Sequence, residues 1–158
     1  MSRYIFLFDL DSTVTKQEIL PTISKKLGIY EKMSELTEST MRGEVPFKQS
    51  FLQRVDLLKN VPVSEVNEMV SKIQLNNHLV DFIRVNHDRC YIVTGNLDVW
   101  IDGLIRKIGM ERNTFCSKAI VKNDYIEDVF NIVDKNAVIG QMVLPFVAIG
   151  DGNNCLLY

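Results

Sequence analysis

The sequence has 158 residues, of which 46% are hydrophobic and 24% charged, and its formal net charge is -2. This length suits one well-packed domain, or a compact core with a smaller insertion, but not two full-sized domains. Lysines and arginines are scattered among acidic residues without a basic block, so the composition does not predict nucleic-acid binding. The three cysteines are odd in number and far apart, which fits reduced thiols in a cytoplasmic protein better than a disulfide framework.

A buried strand is the first predicted element. Residues 4–8 form a short, continuous apolar run, typical of a parallel strand with both faces covered. Asp9 and Asp11 follow at once, so the run is too short and too soon acidic for a signal peptide or a membrane span. We therefore expect a cytoplasmic protein with no membrane partner.

A helical segment is predicted next, from residue 17 to about residue 75. Its clearest helix starts near Pro62 and has one apolar face. The residues of that face recur at helical spacing: Val63, Val66, Met69, Val70 and Ile73. We interpret the whole segment as a cap of several helices inserted after the first strand.

A second strand and a clear helix follow the cap. Residues 89–93 predict the strand, which is closed by the polar residues 94–96. Apolar residues then recur at helical spacing over residues 97–108. Gly109 stands where a helix end commonly needs a left-handed residue, so the helix is expected to end there.

The remaining elements are weaker, apart from a last buried strand. Residues 115–121 and 125–133 predict two short strands around an Asn-Asp turn. One more helix is expected at residues 134–142. Residues 145–149 form the last apolar run, which a glycine-rich polar stretch follows.

Alternating strands and helices predict an α/β fold, a Rossmann-like parallel sheet flanked by helices with an inserted helical cap. In such sheets, ligands bind beyond the carboxyl ends of the strands. Three predicted strands end in polar residues: Asp9 and Asp11, then Thr94 and Gly95, then Gly150, Asp151 and Gly152.

The two aspartates after the first strand are the first candidate site. Asp9 and Asp11 are two residues apart, so both can point into one crevice while Leu10 faces away. By itself this pattern also fits an ordinary solvated turn. Two carboxylates held so close resist ionising together unless a cation neutralises them, which suggests Mg²⁺, with Asp151 as a third ligand. An Asp carboxylate can also attack phosphorus as a nucleophile, through an acyl phosphate.

The three strand ends together resemble the haloacid dehalogenase superfamily, and within it the phosphoserine phosphatase-like branch with a helical cap between the first two motifs. The match spans nearly all of the chain. The first motif, Asp-x-Asp-x-Thr, is met by Asp9, Asp11 and Thr13, and the second motif by Thr94. The fourth motif, Gly-Asp-Gly-x-Asn, is met by residues 150–154.

The resemblance implies hydrolysis of phosphate esters through a phospho-aspartate. Asp9 would be the nucleophile. Asp11 would protonate the leaving alkoxide and then activate water, so the site must separate the pKa values of the two aspartates. Mg²⁺ would be held by Asp9, Asp151 and the backbone carbonyl of Asp11. Thr94 would donate a hydrogen bond to the phosphoryl oxygens.

A lysine is expected to neutralise charge on the transferring phosphoryl group. Lys135 is the first choice, because it opens the helix before the last strand, as the third motif of the family does. Lys118 and Lys122 are the alternatives. A surface helix position without a catalytic role is the competing interpretation of Lys135.

The cap suggests the substrate. Residues 40–58 resemble the cap of phosphoserine phosphatases, and Glu18 sits at that family's position after the first motif. In that family the glutamate pairs with the amino group of the substrate and an arginine, here Arg54, pairs with its carboxylate. By pattern alone, these residues would be solvated helix charges. The other substrate contacts predicted from the resemblance are Met41, Phe47, Gly95 and Asn154.

Two positions depart from the family. Asn96 stands where phosphoserine phosphatases usually carry a second glycine, and it is expected to crowd the pocket. Cys155 stands where the family has a carboxylate that supports the metal shell, and its loss is expected to weaken metal affinity. The family also continues for another helix and an edge strand. The core is therefore expected to lack its C-terminal part and to expose a sheet edge that favours a homodimer.

We predict a phosphatase core at residues 1–15 and 77–158 and a helical cap at 16–76. The predicted function is hydrolysis of O-phosphoserine, or of a similar small phosphorylated metabolite, with Mg²⁺ as cofactor. The alternative is a degenerate or truncated member that binds Mg²⁺ and phosphate without turnover. A signalling receiver domain also phosphorylates an Asp, but receivers carry that Asp later in the chain and have no inserted cap.

Overall fold

A five-stranded sheet organises the protein, whose computed structural model describes residues 4–150. The strands are β1 (Ile5–Phe8), β2 (Cys90–Leu97), β3 (Thr114–Lys122), β4 (Tyr125–Asn131) and β5 (Phe146–Ile149). Their order in the sheet is β4-β3-β2-β1-β5. β1 is parallel to β2 and β5, and β2 is parallel to β3, whereas β3 and β4 form an antiparallel hairpin. The predicted α/β fold with a mostly parallel sheet is confirmed.

β1 lies inside the sheet because both of its faces are apolar. Leu7 packs on one face in a cluster with Val138, whereas Phe8 joins the larger core cluster on the other face. Phe8 is also in register with Ile92 of β2 and Ile149 of β5. These three parallel strands therefore bring their carboxyl ends to one edge of the sheet, where ligands bind in such folds.

Seven α-helices surround the sheet within residues 4–150. They are α1 (Ile19–Leu27), α2 (Tyr30–Met41), α3 (Phe47–Leu57), α4 (Val63–Ser71), α5 (Asn77–Val85), α6 (Asp98–Ile108) and α7 (Lys135–Gly140). A π-helical turn covers Leu10–Val14, directly after β1. α6 ends at Gly109, whose φ of 80° confirms the predicted left-handed helix end. In this part of the chain, no helix is both long enough and apolar enough to cross a membrane.

The helices α1–α4, here called the four-helix segment, occupy the position of the predicted cap. Its two ends meet at a neck, where Thr15 and Leu75 form an isolated antiparallel bridge. The segment is also fastened to the sheet's own helices, because the Gly103 N–H of α6 donates to Asn67 Oδ1 of α4 at 3.0 Å. The neck supports an insertion at residues 16–76, and the division into core and cap remains a proposal.

Two elements differ in extent from their predictions. β2 continues to Leu97 instead of closing after residue 93, because Thr94 and Asn96 are buried and remain extended. The helix expected at residues 134–142 is the shorter α7. It begins after Asp134, whose carboxylate accepts hydrogen bonds from two backbone N–H groups of the first turn.

The sequence pattern predicts the β3–β4 hairpin but not α5. α5 has only nine residues and two fully buried apolar side chains, Val80 and Ile83, so its periodic signal is short. The hairpin turn contains Asn123 and Asp124, with φ values of 52° and 68°. Asn and Asp tolerate this left-handed conformation, which two-residue hairpin turns of this kind require.

Candidate active site

The turn after β1 positions both aspartates. The Asp9 N–H donates to the Ile149 carbonyl at 2.9 Å, which fixes Asp9 at the carboxyl edge of the sheet. The chain then reverses through the π-helical turn, where Ser12 has a φ of 56°. The buried Thr15 stabilises this turn, because its Oγ1 accepts from the Ser12 N–H at 3.1 Å. Asp11 is thereby brought back towards Asp9.

Lys135 contacts Asp9. The Lys135 ammonium lies 3.3 Å from Asp9 Oδ1, and the two side chains are 23% and 13% exposed. The same oxygen accepts from the Leu10 N–H at 2.9 Å. The alternative lysines lie elsewhere, since Lys118 contacts the Cys116 thiol and Lys122 is exposed at the hairpin. Of the three candidates, Lys135 is therefore the one that the fold brings to Asp9.

Both oxygens of the Asp11 carboxyl accept hydrogen bonds. Oδ1 accepts from the Ile19 N–H at 2.7 Å, and Oδ2 accepts from the Asn96 amide nitrogen at 2.7 Å. Burial raises the pKa of Asp11, and these two hydrogen bonds oppose the rise. A carboxyl group with a raised pKa suits the acid and base roles that the resemblance implies.

Thr94 is joined to Asp11 through Asn96. Thr94 is 1% exposed and lies in β2, next to the strand that carries Asp9 at its end. Its hydroxyl oxygen accepts from the Asn96 side-chain amide at 2.9 Å and from the Asn96 N–H at 3.2 Å. Asn96, which is expected to crowd the pocket, also donates hydrogen bonds to two of the predicted site residues.

The donor set fits a hard divalent cation. Burial raises the pKa of Asp9, Lys135 opposes this rise, and Asp11 adds to it. Two buried carboxylates beside an ammonium leave an excess of negative charge, which a divalent cation would neutralise. Within residues 4–150, Asp9 Oδ2 accepts no hydrogen bond, so it is open to a cation. Asp151, the predicted third ligand, lies outside the described residues, and residues 4–150 alone contain no metal-binding group of three.

α3 covers the sheet edge with an aromatic ring and a cation. The Phe47 ring lies over Gly95, and the Arg54 guanidinium lies 5.8 Å from the centre of that ring. Burial lowers the pKa of Arg54, and the carboxylates of Asp11 and Glu18 oppose this shift. The predicted substrate residues Phe47, Gly95 and Arg54 are therefore close to the aspartates.

The other predicted substrate contacts are more exposed or lie outside the described residues. Glu18 is exposed at the start of α1, beside the Ile19 N–H that binds Asp11. Met41 ends α2 and is 66% exposed. Asn154 lies outside the described residues, as does Cys155. The roles of these residues remain predictions.

The sequence and the fold are similar to those of known phosphoserine phosphatases. No protein-family model matches the sequence. The phosphoserine phosphatase of Methanocaldococcus jannaschii is 28% identical, over 96% of this chain and 79% of its own length. That of Archaeoglobus fulgidus is 32% identical, over 69% of this chain and 33% of its own length. A solved phosphoserine phosphatase, described as a phospho-aspartyl intermediate analogue, is 26% identical with a TM-score of 0.67, and the match covers 83% of this chain and 64% of that one.

The chain resembles the haloacid dehalogenase superfamily, in its phosphoserine phosphatase-like branch. The resemblance predicted from the strand-end motifs is therefore confirmed, together with the phosphatase class of the chain. The chain spans about four fifths of the first relative, a third of the second and less than two thirds of the solved structure. Its own substrate and metal therefore do not follow from the likeness alone.

Two contacts in this candidate site were not predicted from the sequence. One is the Asn96 amide, which binds Asp11 and Thr94 across two strand ends. The other is the backbone N–H of Ile19, which binds Asp11 from the start of α1. The position of Asn96 next to the second motif was a usable signal, whereas a backbone donor leaves no trace in the sequence.

Proposed function

We propose that this chain hydrolyses small phosphomonoesters through a phospho-aspartate on Asp9, with Mg²⁺ as cofactor and O-phosphoserine as the favoured substrate. The main support is the 3.3 Å contact between the Asp9 carboxylate and the Lys135 ammonium at the carboxyl edge of the sheet. Asp11 and Thr94 lie at the same edge. A nucleophile, a cation for the phosphoryl charge, a proton carrier and a hydroxyl donor are the groups that this reaction uses.

The reaction proceeds in two displacements. A carboxylate oxygen of Asp9 attacks phosphorus, and the bond from phosphorus to the ester oxygen breaks. The leaving alkoxide takes a proton from Asp11. Asp11 then removes a proton from water, the resulting hydroxide attacks phosphorus, and the acyl phosphate bond breaks to release inorganic phosphate and free Asp9.

Lys135 and Thr94 bind the phosphoryl group. The ammonium already balances part of the charge of Asp9, so it is placed to balance the charge that the phosphoryl oxygens bring. The Thr94 hydroxyl supplies a hydrogen-bond donor from the neighbouring strand. Mg²⁺, held by Asp9, Asp151 and the backbone carbonyl of Asp11, would supply further positive charge and orient the phosphate.

Arg54 and Glu18 support a substrate with both a carboxylate and an ammonium group. Arg54 is largely withdrawn from water, yet no carboxylate of residues 4–150 forms an ion pair with it, and its described hydrogen bond goes to the Ser50 carbonyl at 3.4 Å. A substrate carboxylate would satisfy the remaining donors. O-Phosphoserine has this carboxylate, and the relatives named phosphoserine phosphatase agree with it. Phe47, Met41, Gly95 and Asn154 would complete the pocket.

The test is phosphate release from O-phosphoserine, O-phosphothreonine and p-nitrophenyl phosphate, with Mg²⁺ or with EDTA. Release should require Mg²⁺, favour phosphoserine and disappear in Asp9→Asn. Asp102→Asn is the matched control, because Asp102 is half-exposed on α6 and, among residues 4–150, pairs only with Arg106, at 3.0 Å. Release that survives Asp9→Asn would contradict the phospho-aspartate.

A member that binds phosphate without turnover is the second candidate, which the departure at Cys155 favours. Calorimetric binding of Mg²⁺ and orthophosphate, without release from any ester, would identify it. Pairing of two copies also remains a proposal. Light scattering of the purified protein measures the mass of the particle and tests it.

A further inference from the structure

Asn96 connects two strand ends of the candidate active site. Its side chain amide nitrogen has two N–H bonds. One donates to Asp11 Oδ2 at 2.7 Å and the other to Thr94 Oγ1 at 2.9 Å. Because Asn96 is only 6% exposed, water competes little for these bonds. A single amide thus links β2 to the turn after β1.

The hydrogen bonds of Asn96 decide what the Thr94 hydroxyl can do. A hydroxyl oxygen has two acceptor positions and one donor. The side-chain amide and the backbone N–H of Asn96 take both acceptor positions of Thr94 Oγ1. Within residues 4–150, the Thr94 O–H donates to no acceptor. Asn96 therefore leaves Thr94 as a pure donor, which is the function that a phosphoryl oxygen needs.

Asn96 also restricts the Asp11 carboxyl. Asp11 Oδ1 is held by the Ile19 N–H of α1, and Oδ2 is held by Asn96 of β2. Two hydrogen bonds from different elements fix the plane of the carboxyl group. Proton transfer to a leaving group depends on such orientation, because the donor oxygen must lie within hydrogen-bond reach.

We propose that Asn96 is a positioning residue, which holds Asp11 for proton transfer to the leaving group and presents the Thr94 hydroxyl to the phosphoryl group. This inference rests on the proposed phosphatase function. Asn96 itself forms no bond to the reacting atoms. It acts through Asp11 and Thr94. The loss of kcat/KM on removing Asn96 should therefore be larger for a substrate whose leaving group must be protonated.

The test compares Asn96→Ala with the wild type on two esters. The serine alkoxide of O-phosphoserine needs a proton to leave, whereas p-nitrophenolate leaves without one. With Asp11 badly oriented, kcat/KM for O-phosphoserine should fall about 100-fold, within the range of general acid catalysis. For p-nitrophenyl phosphate it should fall less than about tenfold, from the altered Thr94 alone.

Asn113→Ala is the matched control. The Asn113 amide also makes two hydrogen bonds near β2, to the carbonyls of His87 and Cys90 at 3.0 and 3.1 Å, but at the opposite end of the strand. This variant should lose stability without changing the ratio of the two kcat/KM values. If Asn96→Ala does not fold, Asn96→Ser takes its place with the same expected ratio.

A spectroscopic measurement tests the hydrogen bonds without turnover. The two side-chain N–H signals of Asn96 in a ¹⁵N–¹H spectrum should respond separately, one to Thr94→Val and the other to Asp11→Asn. Signals that neither substitution moves would overturn the inference, as would equal losses of kcat/KM on both esters. No release from any ester by the wild type would instead defeat the proposed function, and the catalytic role of Asn96 with it.

Discussion

Phe47 of α3 lies directly over Gly95 of β2. A Cβ atom added at Gly95 would lie 2.9 Å from the Phe47 ring, closer than packed carbon atoms approach. The ring stacks on Phe51, with centroids 5.9 Å apart, and is 41% exposed. The ring can therefore move aside without opening the core. The contact sets how closely α3 packs on the sheet edge, and it contributes little to the stability of the fold.

Gly95→Ala is expected to weaken substrate binding with little loss of stability. The new methyl group displaces the Phe47 ring and with it the neighbouring Arg54, whose guanidinium lies 5.8 Å from that ring. Displacement of substrate-positioning groups should raise the KM for O-phosphoserine about tenfold. Phosphate-release kinetics and a thermal melt measure the two effects.

A double variant separates the clash at Gly95 from other effects of the methyl group. In a Phe47→Ala background the methyl group meets no ring, so Gly95→Ala should then change KM hardly at all. If its effect is the same in both backgrounds, the contact with Phe47 is not the cause.

Lys135→Met should reduce kcat/KM about 100-fold to 1000-fold, because the phosphoryl group loses a preorganised cation. Met preserves most of the side-chain length and removes the charge that lies 3.3 Å from Asp9. Lys118→Met is the control, since the Lys118 ammonium contacts Cys116 instead. Steady-state kinetics give kcat/KM for both variants. A larger loss of kcat/KM in Lys118→Met would indicate that Lys118, and not Lys135, binds the phosphoryl group.

Local signals were sufficient for most of the fold. The apolar run of β1, the left-handed Gly109 and the Asn-Asp turn at Asn123 each depend on residues close in sequence, and the structure agrees with all three. α5 was not predicted, because two buried residues in nine give too short a pattern. The length of β2 depends on the burial of Thr94, which only the packed fold decides.

The sequence named candidate residues for the site, but it did not predict the contacts between them. The motifs identified Asp9 and Asp11 as neighbours at one strand end, and the turn after β1 brings them there. The contact between Lys135 and Asp9 spans 126 positions, so the sequence could only rank three lysines by their place along the chain. At Asn96 the sequence showed a larger residue than glycine, whereas its bond to Asp11 depends on the register of β1 against β2.

Arg54→Gln should act on substrates that carry a carboxylate. Loss of a charge-assisted hydrogen-bond pair costs about 1.5 to 3 kcal/mol, so the KM for O-phosphoserine should rise about tenfold to 100-fold. The KM for p-nitrophenyl phosphate, which has no carboxylate, should stay within about twofold. Arg106→Gln, at an exposed ion pair on α6, is the control. Equal effects of Arg54→Gln on both esters would remove Arg54 as the carboxylate reader.

Gly103→Ala should lower the free energy of unfolding by about 1 to 3 kcal/mol, although Ala is the better helix former. A Cβ atom at Gly103 would overlap Ser71 Oγ and crowd Asn67 Oδ1, where α4 packs on α6. Gly140→Ala in α7 is the control, because nothing lies within 4 Å of its added Cβ, and it should be neutral or stabilising. Urea unfolding measures the free energy of unfolding of both variants. A more stable Gly103→Ala protein would show that α4 moves to make room for the added methyl group.

Alkaline pH should destabilise the fold through Cys90. Burial raises the pKa of this thiol from 9.0 to about 11, and Arg89 opposes the rise. Below pH 9 both folded and unfolded chains keep the proton, so the contribution to stability is fully present. Between pH 9 and 11 the unfolded chain releases the proton while the folded chain retains it, so the free energy of unfolding falls as pH rises.

Cys90→Ala removes this titration. Its free energy of unfolding should therefore decline less than that of the wild type between pH 9 and 11, whatever the cost of the small cavity at neutral pH. Urea unfolding at intervals from pH 7 to 11 gives both curves. Cys116 is also buried and its pKa is also raised, so part of the decline should persist in Cys90→Ala. Parallel curves for the two proteins would mean that the pKa of the Cys90 thiol is the same in the folded and the unfolded chain.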